Sequence, residues 1–158
     1  MIQSKIATIA VVFFLIGCAG AAAPTRQAHV HHMSHHVMPF DMARTLHIFR
    51  MTETGGVQKV IARDPKDSEQ IALIRRHLQH EAERFQMGDF DDPARLHGPD
   101  MPGLGELQAG ASRIAISYAP LPDGGQITYR TTDLHLLTAL HRWFGVQLSE
   151  HGADARAE

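Results

Sequence analysis

Four short runs of the chain alternate apolar and polar residues, and two longer ones repeat apolar residues at helical spacing. Arg44–Thr52 (RTLHIFRMT) and Val57–Arg63 (VQKVIAR) predict strands joined by Glu53-Thr-Gly-Gly56, a hairpin signal because glycine tolerates positive φ. Asp67 is placed to cap the helix that follows, and Glu69 lies in its first turn. Ile71, Ile74, Leu78, Ala82 and Phe85 form its apolar face, and Gly88 stops it. The pattern then recurs. Ser112–Ala119 (SRIAISYA) and Gln126–Thr131 (QITYRT) predict strands around the turn Pro120–Gly125. Asp133 caps a helix over Leu134–Leu148, with Leu137, Leu140, His141, Phe144 and Leu148 on its apolar side. Residues 41–152 are therefore expected to form one α+β domain of two layers. It would be a ββα–ββα pseudo-repeat, with a four-stranded antiparallel sheet and two helices on one face.

Between the halves, Gly88–Leu104 carries Pro93, Pro99, Pro102, Gly88, Gly98 and Gly103. So many breakers predict an irregular joint rather than a regular helix or strand, and a loop of that length in a compact domain suggests function or disorder. At the other end, residues 153–158 are expected to fray.

Upstream of residue 41 the periodicity disappears. Lys5 followed by the apolar run Ile6–Ile16 is too short to span a bilayer. The run closes in Leu15-Ile16-Gly17-Cys18, which has the form of a lipobox. Residues 1–17 are thus expected to be a lipoprotein signal peptide and Cys18 the acylated residue, which accounts for a single cysteine in an exported chain. The lipid would anchor the protein in the cell envelope. Alanine after Cys18 favours the outer membrane, facing the periplasm, if the cell is Gram-negative. Residues 18–40 then read as a flexible tether.

Composition adds one anomaly and one exclusion. With 15 Lys and Arg against 17 Asp and Glu, the chain has no basic surface for nucleic acid. Its twelve histidines are unusual, and His29, His31, His32, His35 and His36 fall in the tether beside Met33 and Met38. Imidazole suits copper, zinc and nickel, and thioether suits Cu(I). The alternative is a solvated spacer of biased composition.

Several short motifs carry a resemblance: His77-Leu78, Glu81-Ala82, Gly88-Asp-Phe90, Asp92-Pro93, His97-Gly98, Met101-Pro-Gly-Leu104, Leu140-His-Arg-Trp-Phe144 and His151-Gly152. Over roughly residues 41–155 the chain resembles a family of small bacterial exported domains sometimes labelled "aspartate carbamoyltransferase". That label implies a transferase. A true carbamoyltransferase subunit is about twice as long, and its Ser-Thr-Arg-Thr phosphate-binding turn is absent here. The resemblance marks the central segment as a family feature and supplies no mechanism.

Within the domain, His77 and Glu81 are i, i+4 on one helix and can ligate one ion, or the carboxylate can orient the imidazole. A local hydrogen bond is the simpler alternative. His97 and Met101 flank Gly98-Pro-Asp100, either as copper ligands or as anchors of the loop on the core. His141 is either a further ligand or a satisfied core histidine. No Gly-x-Ser-x-Gly elbow, Walker loop or dinucleotide motif is present, so an enzyme is not the leading expectation. That expectation is an envelope lipoprotein that binds a transition metal, copper ahead of zinc or nickel, in homeostasis or resistance. A structural or protein-interaction module, with its partner unspecified, and a small His/Glu enzyme are the alternatives.

Overall fold

Asp67 and Asp133 set the two long helices. The Asp67 carboxylate accepts from the Gln70 amide, and that of Asp133 from the amides of His135 and Leu136. Each side chain satisfies amides that the first helical turn leaves unpaired. The computed structural model describes residues 25–158. The expected signal peptide and the acylated Cys18 lie outside them. Among the described residues no helix is long and apolar enough to cross a membrane.

Helix α1 spans Arg26–Val37, followed by the hairpin β1 (Thr45–Thr52) and β2 (Gly55–Ala62) and by α2 (Ser68–Gln86). Two short helices come next, α3 (Asp91–His97) and α4 (Leu104–Gly110). A second hairpin, β3 (Ala115–Leu121) and β4 (Gly124–Arg130), leads to α5 (Leu134–His151) and a final strand β5 (Ala155–Ala157). The fold is α+β, as expected, and differs in detail. The sheet has five strands in the order β3-β4-β2-β1-β5, and β5 pairs with β1 in parallel, so the sheet is mixed.

Register decides what the sheet presents to the helices. His47 pairs with Val60, Phe49 with Gln58 and Met51 with Gly56, while Gly56 and Val60 pair with Tyr129 and Gly125. Directly paired residues point to one side of an antiparallel sheet. This face is the one α2 and α5 cover. A Cβ added at Gly125 would lie 3.2 Å from Leu78 of α2, and one at Gly56 would lie 2.5 Å from the Phe144 ring of α5. Between the layers Phe85, Phe90, Tyr129, Trp143 and Phe144 form one aromatic cluster, with Phe85 and Phe90 stacked at 4.4 Å.

Three expectations are corrected here. Within the stretch read as a flexible tether, residues 18–40, Arg26–Val37 form α1, capped by Thr25. It packs on α3 and α5 through Val30 and Ser34, both buried and one turn apart. The central joint contains α3, with Asp91, Asp92 and Pro93 in its first turn, where acids favour the helix dipole and proline loses no hydrogen bond. The tail expected to fray is held as β5, where Glu158 donates its amide to the Phe49 carbonyl and pairs its carboxylate with Lys59 at 2.6 Å. Asp67 also pairs with Arg44, so Asp67→Ala should cost about 1 kcal/mol in a urea melt; an unchanged midpoint would refute the cap.

Candidate functional site

The helix-facing side of β1, the buried stripe of α5, the second half of α2, helix α3 and the segment that follows α1 line one cavity of about 40 Å³. Phe40, Leu78, Phe85, Leu96 and Trp143 supply apolar walls. Its polar groups are His47, His97, His151 and Gln147 together with His77, Glu81, Asp92 and Gln58, and the two sets adjoin at Phe40, whose ring meets both His47 at 6.0 Å and His77 at 5.5 Å. The volume admits about three waters, or an ion with small ligands.

The histidine set is built from three elements. His47 comes from β1, beside Phe49 on the same face of the sheet. His97 ends α3 and His151 ends α5. The His47 and His151 ring centroids are 4.6 Å apart, and those of His97 and His151 5.1 Å. His97 Nδ1 lies 2.8 Å from Glu150 Oε2, and Arg26 holds the other Glu150 oxygen at 2.7 Å. A carboxylate accepts, so Nδ1 carries the proton and Nε2 keeps a lone pair. His151 Nε2 likewise donates to Gln147 Oε1 at 3.2 Å, leaving the lone pair on Nδ1. His47 Nδ1, His97 Nε2 and His151 Nδ1 are all buried without a partner. Burial lowers His47 to about 3, with His77 and His97 adding repulsion, and it lowers His97 and, further, His151. All three are neutral imidazoles at pH 7.

In the carboxyl set, burial first, and then the neighbouring Asp92, push Glu81 up to about 8. Arg84 bridges Asp92 at 2.6 Å and Glu81 at 3.5 Å. Burial takes His77 down to about 4, and its ring meets Phe40 edge to face at 5.5 Å. The Trp143 Nε1 donor is buried without a partner. This set thus presents a neutral acid, a neutral base and an indole N–H.

No family model, curated protein or solved structure matches this chain.

His77, Glu81, His97 and Met38, all expected as ligands, line this one cavity. The structure does not bring His141 to them, because its Nε2 donates to the Gly55 carbonyl at 2.8 Å, outside the cavity. Met101 is buried in the core and, with His97, borders a separate surface groove. His29, His32, His35 and His36 are exposed on α1, while His31 pairs with Asp154 at 3.1 Å. Met33 is half-buried in a groove beside α1.

Sequence reasoning missed His47 as a ligand because its strand is apolar enough to read as core. His151, which the sequence offers as another possible ligand, stands next to a tail expected to fray. Extending the buried stripe of α5 through Leu140, Phe144 and Gln147 would have carried it to His151.

The donor set suits a transition metal. Imidazoles sharing one tetrahedral ion have centroids roughly 5 Å apart, given bonds near 2.1 Å. The second nitrogens of His97 and His151 are already fixed by acceptors, as is usual for histidines that bind metal. Yet among the described residues no group of three or more His, Cys, Asp or Glu side chains is placed so that it could hold a metal ion as it stands. Binding would require the rings to turn inward.

Proposed function

We propose that this chain is a transition-metal-binding protein of the cell envelope, anchored through Cys18. Its ion, copper ahead of zinc or nickel, would bind at His47, His97 and His151. One observation supports this above the rest: three neutral imidazoles from three elements line one small cavity, each with a buried ring nitrogen that lacks a partner. A buried polar atom left unpaired costs on the order of 1–3 kcal/mol, so the cluster is costly unless something uses it. Neutral rings bind metal without first losing a proton. The turning that the rings need predicts moderate affinity.

Calorimetric titration with Cu(I), Cu(II) and Zn(II) tests this reading. His47→Gln with His151→Gln should weaken the inner site at least tenfold while circular dichroism stays native. Unchanged affinity in a folded variant would sink it.

A small enzyme is the second reading, and Glu81 is the observation in its favour. A carboxyl group that stays protonated near neutral pH beside a neutral His77 is the pairing general acid–base chemistry uses.

A further inference from the structure

The folding of the N-terminal histidine tract into α1 changes what that tract can do. A flexible chain collects donors by composition, whereas a helix sorts them by position. On α1, His32 and His36 are i, i+4 and both exposed, with ring centroids 6.4 Å apart. Side chains at this spacing stand one above the other on a helix, and two histidines so placed can clamp one ion. Rotation of two exposed side chains narrows 6.4 Å to what a shared ion needs.

Met33 lies three residues before His36 and shares a groove with it, together with Val37 and Arg95. A thioether is therefore at hand on the other side of His36. The second i, i+4 pair, His31 and His35, is not equivalent, because His31 is engaged by Asp154. The groove also has an inner neighbour. Val37 lines both the groove and the histidine cavity, and Met38 and Leu96 continue the wall.

We propose that His32 and His36, with Met33 beside them, form a separate outer site that captures copper on the surface of α1, across the Val37 wall from the cavity. The site deepens the metal-binding reading and stands apart from the inner histidines. His29 and His35 do not belong to it, although composition alone would include them.

Titration of the protein with Cu(II), followed by calorimetry and electron paramagnetic resonance, tests the assignment in three variants. His32→Ala/His36→Ala should lose one equivalent of Cu(II), or weaken it at least tenfold. His29→Ala/His35→Ala removes as many histidines and should change that step less than twofold. His47→Gln/His151→Gln should leave it intact. Equal losses in the first two variants would return the tract to a compositional chelator and overturn the proposal, as would no loss in the first. If wild type binds one equivalent that only the first variant abolishes, the outer site stands and the cavity reading falls.

Discussion

Acidification from pH 6.5 to 5.5 is expected to destabilise the fold, with His47 and His77 each costing about 1 kcal/mol over that step and His97 and His151 acting in the same direction. His47, His77, His97 and His151 are all lowered by burial in the native state. Unfolded, each takes a proton near pH 6.5. Below that pH the unfolded chain binds more protons, so stability is present above 6.5 and drains away as pH falls toward the native values of about 4 for His77 and about 3 for His47. Glu81 works the other way. It is protonated in the fold up to about 8 but ionised in the unfolded chain above its ordinary value. Its contribution is therefore largest in acid and shrinks as pH rises to 8. The histidines outweigh Glu81 until the unfolded rings have lost most of their protons, so stability should peak between pH 6.5 and about 7. Urea melts at pH 5.5, 6.5 and 8 check this. A flat profile, or a gain on acidification, would show that the four rings are not buried as neutral imidazoles.

Gly103→Ala should be the most damaging small substitution in the central segment, at about 3 kcal/mol. Gly103 has φ +88°, and an added Cβ would collide with the Ala139 carbonyl oxygen of α5. Neither the residue nor the helix backbone has room to yield. At this chain length the loss corresponds to a fall of roughly 6–12 °C in Tm. Gly105→Ala, two residues on, is the internal control. Nothing lies within 4 Å of its would-be Cβ and it sits within α4, so it should be neutral or slightly stabilising. Similar losses at both positions would mean that the segment is generally intolerant rather than pinned at Gly103.

That pinning explains why the segment was only half legible. Its glycines and prolines suggest disorder, yet Phe90 stacks on Phe85 and Leu104 is fully buried. Two buried anchors, both against α5, hold what local propensity does not. The four hairpin strands and two capped helices were readable because strand alternation and Asp67 and Asp133 are local signals. The parallel strand β5 was not, because its partner β1 lies about a hundred residues upstream. Helix α1 hid for a different reason. Val30 and Ser34 are its only buried residues, and one of them is polar, so no amphipathic stripe marks it. The site was legible where spacing exposed it, as at His77 and Glu81. It was hidden where the fold brought a strand residue and a helix end to His97, as at His47 and His151. At His141, read as either a ligand or a satisfied histidine, the ring nitrogen is satisfied by the Gly55 carbonyl.

Trp143 gives the cavity its own optical probe. It is the chain's single tryptophan, it is fully buried, and its ring forms part of the cavity wall. All indole emission therefore originates beside the histidines, with no surface fluorophore to dilute it. A paramagnetic ion such as Cu(II) in the cavity would quench that light, whereas closed-shell Zn(II) would leave most of it. Copper held on α1 would lie farther from the indole and quench it less. A steady-state emission scan during titration would thus separate filling of the inner position from filling of the outer one without any label.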